Sequence, residues 1–316
     1  MPFAMDPQVA AAMEPLAALA GGMPAPSVGD IATRRVTMEA GQVFMESRRA
    51  MPTDVKMTDF EARASDGATV AVRWYAKDGS APGSAGVYLH GGGMILSNIG
   101  LYDGTVARYV SASGVPMLAV EYRYAPEHPG LTPVEDSYAA LRWLADHSAE
   151  LGVDPGRIAV MGDSAGGGIA AGLALLARDR SGPAIAQQIL IYPMLDDRTT
   201  TPDPQLVPFA GWTYEDNLTG WAALLGDDIG GPDVSAYAAP ARITDAVGLP
   251  PVYLEVGELD IFRNEGIEFA RRTAAAGVST ELHVRPGVPH GWDVVAPEAN
   301  VTTRAMSDRV RRLMSL

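Results

Sequence analysis

One segment of the sequence combines a serine with closely spaced glycines in a pattern that favours nucleophilic chemistry. Residues 158–168 read Ile-Ala-Val-Met-Gly-Asp-Ser-Ala-Gly-Gly-Gly, so a strand-like run, a G-x-S-x-G motif centred on Ser164 and a small-residue helix follow one another. A sharp strand-to-helix turn holds the serine hydroxyl clear of a sheet, and the helix N-terminus directs free N–H groups at developing negative charge. The motif predicts a nucleophile elbow, and the alternative is a glycine-rich junction without chemistry.

A second glycine-rich loop follows another strand-like run. His90, Gly91, Gly92 and Gly93 come directly after residues 85–89. Consecutive glycines let backbone N–H groups approach a ligand closely, and a loop of this type supplies part of an oxyanion hole. The N–H group of Ala165, which follows the serine, would complete the hole. The alternative is a plain glycine turn.

Two nucleotide-binding interpretations of these glycines are disfavoured. Residues 166–171 fit a loosened G-x-G-x-x-G/A pattern, but they lie inside the predicted helix, and the next strand ends in Tyr-Pro instead of an acid. The loop after residue 89 is not a phosphate-binding P-loop, because no Gly-Lys-Ser/Thr follows it.

A serine nucleophile needs a base and an acid that orients the base. The chain has five histidines, of which His290 lies in a loop just past the last predicted strand, where open α/β sheets place their sites. Enzymes with this elbow place the acid between serine and histidine in chain order. Glu258 and Asp260 both follow a strand in that interval, and we favour Asp260 because it follows the strand end and precedes a helix.

The elements around these residues alternate between short apolar runs and helical stretches. Strands are predicted at residues 57–64, 69–76, 85–89, 115–120, 157–161, 188–192, 252–256 and 280–285. Helices are predicted at residues 103–113, 134–150, 165–178, 214–225, 264–277 and about 297–314, with one more opening at Asp6-Pro7. Continuous apolar runs suit parallel strands covered on both faces, so the pattern favours an α/β fold with a mostly parallel sheet.

Composition excludes several classes of protein. The chain has 316 residues, a formal net charge of −14 and no cysteine. An acidic chain disfavours nucleic-acid binding, and the missing cysteines exclude disulfide scaffolds, Cys-ligated zinc and a cysteine nucleophile. No metal-ligand spacing is present, and we expect no cofactor. Residues 1–22 lack a basic segment and the longest apolar run is too short to span a bilayer, so we expect a cytoplasmic protein without a membrane span.

Several segments together resemble the hormone-sensitive-lipase-like carboxylesterases of the α/β-hydrolase superfamily, specifically the bacterial G-D-S-A-G subgroup. They are residues 90–93, 122–127, 162–166, 257–260 and 290–291. The resemblance implies an eight-stranded hydrolase core formed by residues 46–198 and 241–316, with a helical cap formed by residues 1–45 and 199–240. It implies a Ser164, Asp260 and His290 triad, with Gly92 and Gly93 joining Ala165 as oxyanion donors.

The resemblance also implies a substrate class, which is a small-molecule ester with a short acyl chain. Candidate pocket residues are Met94, Asp163, Phe209, Trp212 and Trp292. Ordinary core packing is the alternative for the apolar ones, and for Phe209 and Trp212 it explains the sequence equally well. Dimerisation is common in the family, so a homodimer is among the expectations. An amidase or peptidase with the same triad is the alternative, and a non-catalytic ligand-binding role is disfavoured because His290 is present.

Overall fold

The computed structural model describes residues 3–21, 26–79 and 83–316. Its centre is one eight-stranded sheet with the strand order β1-β2-β4-β3-β5-β6-β7-β8. The strands are β1 (Val55–Arg63), β2 (Thr69–Lys77), β3 (Ala85–Leu89), β4 (Met117–Val120), β5 (Ile158–Asp163), β6 (Gln187–Ile191), β7 (Val252–Gly257) and β8 (Thr280–Arg285). β2 pairs antiparallel with β1 and β4, and all other pairs are parallel. The predicted α/β-hydrolase fold with a mostly parallel eight-stranded sheet is confirmed.

Helices cover the sheet. They are α1 (Pro7–Ala20), α2 (Ile31–Ser47), α3 (Ile99–Ser113), α4 (Thr132–Asp146), α5 (Ser148–Leu151), α6 (Ala165–Asp179), α7 (Tyr214–Leu225), α8 (Arg263–Ala275), α9 (Trp292–Val295) and α10 (Asn300–Met314). α4 packs against α6, and α3 packs against α2 and α10. Within the described ranges, no helix has both the length and the hydropathy to cross a membrane.

The central strands explain why their sequences read as continuous apolar runs. Every residue of β3, β4, β5, β6 and β7 is buried, because helices cover both faces of the sheet. The edge strands β1 and β8 contain exposed and half-buried residues instead. The parallel strands bring their carboxyl ends to one edge of the sheet, and the loops carrying the candidate site residues start there.

Several helix boundaries differ from the sequence-based prediction, and two of the differences have local reasons. α3 begins four residues earlier than predicted, because the Asn98 side chain caps it and accepts a hydrogen bond from Leu101 N at 3.1 Å. The helix predicted over residues 134–150 is divided in two at His147, which ends α4 and precedes α5.

The two segments predicted to form a cap meet in the structure. Arg34 of α2 donates to Asp216 of α7 at 2.7 Å, and both side chains are buried. The Gly29 N–H donates to the Thr219 hydroxyl at 3.1 Å. Residues 1–2 and 22–25 of the predicted cap, and residues 80–82 of the predicted core, lie outside the described residues. The division into core and cap stays a proposal.

Candidate active site

Ser164 stands at the turn between β5 and α6, with backbone angles φ +54° and ψ −122°. Its N–H donates to the carbonyl of Ile191 at 2.9 Å, and its carbonyl accepts from Met194 N at 2.9 Å. A Cβ at Gly166 would lie 2.0 Å from the carbonyl oxygen of Leu89, so only glycine fits there. A non-glycine residue at such angles persists only where its surroundings hold it, and here neighbouring strands do so.

Three side chains from distant parts of the chain form one hydrogen-bonded series. His290 Nε2 lies 2.9 Å from Ser164 Oγ, and His290 Nδ1 lies 2.7 Å from Asp260 Oδ2. Both distances fall within the range for a nucleophile, a base and an acid that orients the base. Asp260 is 1% exposed, and its other oxygen accepts from Phe262 N at 2.9 Å. The carboxylate is therefore fixed on both sides.

Aromatic rings hold the imidazole of His290 in place. The Tyr192 ring meets it edge-on at 4.7 Å between centroids, and the Phe262 ring does so at 5.0 Å. Both contacts leave the Nδ1 and Nε2 atoms directed at Asp260 and Ser164. The ring thus has few alternative orientations.

Glu258, the alternative acid, has a different role in the structure. Its carboxylate accepts from Gly287 N at 2.9 Å and therefore braces the loop that leads to His290. Of the two acids, the structure brings only Asp260 to the imidazole.

The other histidines lie away from Ser164 or have other partners. His90 Nδ1 lies 2.7 Å from Gly91 O, and burial lowers the pKa of His90 to about 4, so this ring is neutral near pH 7. His147 Nδ1 contacts Trp143 O at 2.8 Å, His283 contacts Glu281 at 2.7 Å, and His128 is exposed.

The loop after β3 presents backbone N–H groups beside Ser164. Gly92 and Gly93 have φ values of +121° and +59°. A Cβ at Gly92 would lie 2.2 Å from the carbonyl oxygen of Leu96. Within the described part of the chain, no group accepts a hydrogen bond from the N–H of Gly92 or Gly93. Ala165 is the first residue of α6, where N–H groups lack intrahelical acceptors. The three predicted donors are therefore available to a ligand oxygen.

A cavity of about 490 Å³ opens above Ser164 and His290. The predicted pocket residues Asp163 and Trp212 line it, together with Gly92 and Tyr192. The N-terminal helices α1 and α2 supply further apolar walls through Val9, Met13, Met38 and Met45. Sequence reasoning placed the N-terminus in a cap but singled out none of these side chains, because their spacing shows only that a helix has an apolar face.

Three predicted pocket residues lie outside this lining, contrary to expectation. Trp292 is fully buried, where it packs edge-on against Tyr192 at 5.3 Å and lies beneath the Arg309 guanidinium. Met94 is 3% exposed and is held in a left-handed turn at φ +62°. Phe209 lies half-buried in a short 3₁₀ turn away from the cavity wall. Core packing, the alternative interpretation, accounts for Met94 and Trp292.

Comparison with known proteins places this geometry in a family. A family model described as the alpha/beta hydrolase fold matches residues 86–294. The chain belongs to this family. The carboxylesterase NlhH of Mycobacterium tuberculosis is 38% identical to this hydrolase over 242 residues, which cover 72% of this chain and 73% of NlhH. The ethyl acetate hydrolase of Pseudomonas putida is 32% identical over 240 residues, which cover 75% of each chain.

A solved structure supports the same family assignment. A bacterial heroin esterase matches the hydrolase with a TM-score of 0.88 and 38% identity, covering 98% of this chain and 97% of that one. Together with the sequence relatives, this likeness places the hydrolase among the hormone-sensitive-lipase-like carboxylesterases, as the sequence motifs predicted.

Tyrosines that sequence reasoning missed connect the serine turn of the hydrolase to the glycine loop. Asp163 accepts from the Tyr88 and Tyr102 hydroxyls, both at 2.8 Å, and the Tyr102 oxygen accepts from Gly91 N at 3.1 Å. Burial raises the pKa of Asp163 to about 6, although the two tyrosine hydrogen bonds oppose the rise. Tyr88 lies in β3 two residues before His90, but nothing in its local sequence indicates which carboxylate it contacts.

A buried ionic network lies beneath His290. Arg309 of α10 donates to Glu255 of β7 at 2.5 Å and to Asp293 at 2.5 Å. Asp293 also accepts from the Tyr192 hydroxyl at 2.9 Å. Because Asp293 follows His290 by three residues and Tyr192 contacts the imidazole, the network fixes the loop that carries the base.

Among the described residues, one group of side chains has the arrangement of metal ligands. Glu281, His283 and Asp308 bring ligand atoms within 4.8 Å of one another, far in sequence from the serine turn. Arg311 and Arg285 already pair with the two carboxylates, at 2.5 Å and 2.7 Å. The acidic charge of this cluster is therefore balanced by protein side chains.

Proposed function

We propose that Ser164, His290 and Asp260 hydrolyse short-chain carboxylic esters through an acyl-enzyme intermediate. The protein is a carboxylic ester hydrolase, as its named relatives are. The observation that carries the mechanism is the hydrogen-bonded series from Ser164 Oγ through His290 to Asp260, with distances of 2.9 Å and 2.7 Å, on the floor of a cavity.

In the first step His290 Nε2 takes the proton of Ser164 as the hydroxyl oxygen attacks the acyl carbon. Asp260 holds the imidazole with a proton on Nδ1 and stabilises the imidazolium that forms. The imidazolium then protonates the leaving alcohol, and the acyl group stays on Ser164. Water attacks the acyl-enzyme with His290 again as base, which releases the acid and restores the serine.

The negative charge of each tetrahedral intermediate falls on the former carbonyl oxygen. The N–H groups of Gly92, Gly93 and Ala165 are fixed before the reaction, so they stabilise this oxyanion without reorganising. Loss of one such donor costs about 3–4 kcal/mol of transition-state stabilisation in comparable sites.

The cavity supports a short acyl chain. Its volume of about 490 Å³ must hold both the acyl and the alcohol portions, and Trp212 lies against Gly93, where a Cβ would meet the indole at 2.4 Å. One relative is an ethyl acetate hydrolase, which acts on a two-carbon acyl group. We infer that acetate and butyrate esters are better substrates than long-chain esters.

Hydrolysis of p-nitrophenyl esters from C2 to C12, compared with p-nitroanilides of the same acids, tests this function. We expect kcat/KM to be highest at C2 to C4, with the anilides cleaved far more slowly. Ser164→Ala should abolish turnover in a folded protein, and the exposed Ser47→Ala variant is the matched control. A preference for C12 would contradict the short pocket, faster anilide cleavage would indicate an amidase, and turnover by Ser164→Ala would refute the mechanism.

A further inference from the structure

A second cavity, of about 720 Å³, adjoins the active-site cavity. It lies between the end of α2, helix α3 and the start of α10. Met45, Val294 and Val295 line both cavities, so single side chains separate them. A small void of about 40 Å³ touches Asp163 and Tyr192 on one side and Arg49 and Arg108 on the other. We call the second space the arginine cavity, after Arg48, Arg49 and Arg108 in its wall.

Three arginines and one acid, Glu298, line the arginine cavity, so its wall has an excess of positive charge in a protein whose net charge is −14. Glu46 accepts two hydrogen bonds from Arg108 Nη2, at 2.6 Å and 2.7 Å. The same carboxylate lies 3.7 Å from Arg49 Nη1, so it faces both guanidinium groups, and Asp293 is the other acid whose charge acts on Arg49. Burial and the charge of Arg108 lower the pKa of Arg49. An anion in the cavity would relieve this repulsion.

Buried donors in the same wall are unused. In the part of the chain that the structure describes, Arg108 Nε, Arg108 Nη1 and Thr302 Oγ1 have no hydrogen-bond partner. Thr302 is 3% exposed. A buried donor without a partner destabilises the protein, and a ligand oxygen that bonds to it would remove this cost. Thr302 also lies in the first turn of α10, where free N–H groups and the helix dipole favour negative charge.

The remaining walls are apolar. Met45, Met306, Val294 and Ala112 face the same space as the arginines and Thr302. The wall therefore suits a molecule with one anionic end and a short hydrocarbon chain, whereas an inorganic anion would leave the apolar part without contacts.

We propose that the arginine cavity binds a short-chain carboxylate, with Arg49, Arg108 and Thr302 holding the carboxylate group and the apolar wall holding the chain. A carboxylate of this kind is the acid that hydrolysis of a short-chain ester releases. The identity of the ligand as the reaction product rests on the proposed function, whereas carboxylate binding by the cavity does not.

Calorimetric titration with sodium butyrate tests the proposal on enzyme whose Ser164 has been blocked with diethyl p-nitrophenyl phosphate. We expect one butyrate site on the blocked protein. Thr302→Val keeps the side-chain shape and removes a hydroxyl without a partner, so it should retain the melting temperature and weaken binding at least fivefold. Arg49→Gln should weaken binding to a similar degree, and the exposed Arg271→Gln variant should bind as the unsubstituted protein does.

Absence of butyrate binding, or equal binding by Thr302→Val and Arg49→Gln, would overturn the proposal. If butyramide binds as tightly as butyrate, the cavity does not recognise the negative charge. If inorganic phosphate binds as tightly as butyrate, the cavity does not recognise the hydrocarbon chain. Either result would overturn the proposal. If the phosphate ester fails to label Ser164, the proposed function fails, while the same titration of the two variants still decides the arginine cavity.

Discussion

At the scale of single residues, the position of Asp260 decides how His290 can act. The carboxylate is buried, bonded to His290 Nδ1 at 2.7 Å and to Phe262 N at 2.9 Å. Only a proton on Nδ1 leaves Nε2 with the lone pair that must accept the proton of Ser164. The acid is therefore needed for the tautomer and for the charge of the imidazolium.

Asp260→Asn keeps the shape of this side chain but removes its charge. We expect kcat for p-nitrophenyl butyrate to fall by about 10³–10⁴, with little change in KM, because the loss acts on the transition state. Glu258→Gln is the matched control, since Glu258 contacts Gly287 N and not the imidazole. Steady-state kinetics on both variants test this expectation. An equal fall in kcat for Glu258→Gln would refute the assignment of Asp260 as the acid.

Asp163 gives the stability of the protein a specific pH dependence. Its pKa in the folded protein is raised to about 6 by burial, whereas an unfolded aspartate titrates near its ordinary value of about 3.9. Between these values the folded chain binds more protons than the unfolded chain, so this group's contribution to stability is lost as the pH rises.

Asp163→Asn should remove that dependence. Relative to the variant, we expect the unsubstituted protein to lose about 2 kcal/mol of unfolding free energy between pH 4 and pH 6. Urea unfolding of both proteins at pH 4, 5, 6 and 7 measures the difference. If the difference in unfolding free energy between the two proteins stays constant with pH, the raised pKa of Asp163 is contradicted.

At the scale of elements, apolar runs predict the strands well, because strands covered on both faces must be apolar throughout. Helix α7 (Tyr214–Leu225) and strands β3 and β8 have the predicted boundaries. The start of α3 was missed, because it depends on the Asn98 cap.

Motifs indicate Ser164 and His290 from local sequence alone. The roles of Arg309 and Tyr102 were not predicted, because their hydrogen-bond partners lie far away in sequence and no local sequence pattern indicates these contacts.

Helix α10 stabilises the loop of the base through Arg309. Arg309→Met leaves Asp293 buried without its cation, whereas Glu255 keeps its pair with Arg285 at 2.9 Å. Breaking a buried pair costs about 3–5 kcal/mol. We therefore expect a large fall in unfolding free energy, and a fall in kcat as the loop of His290 shifts. Arg304→Met, an exposed position on the same helix, is the control. Equal stability of the two variants in urea unfolding would contradict this role.

At the scale of the whole molecule, two separate parts of the chain line the active-site cavity: the N-terminal helices, and Gly211 and Trp212 just before α7. The buried pair of Arg34 and Asp216 joins them. We propose that they form one cap, which unfolds locally at a lower cost than the sheet. The sequence predicted both segments through a family resemblance, but it could not show that this ion pair links them.

Arg34→Met tests the cap as a unit. Because Asp216 is then buried without its cation, we expect faster hydrogen exchange in α2 and α7, while β5 stays protected. The exposed Arg48→Met variant is the control. Loss of protection spread evenly over cap and sheet, measured by mass spectrometry of peptides, would show that the cap is not a separate unit.

The central claim is that Ser164 forms a covalent bond with the acyl group of the substrate. Reaction with diethyl p-nitrophenyl phosphate tests it most directly, because the serine oxygen bonds to phosphorus as p-nitrophenolate leaves. We predict one equivalent of p-nitrophenolate, a diethylphosphoryl group located on Ser164 by peptide mass spectrometry, and loss of ester hydrolysis in proportion to labelling. A label on another residue, or full esterase activity in the labelled protein, would contradict the account.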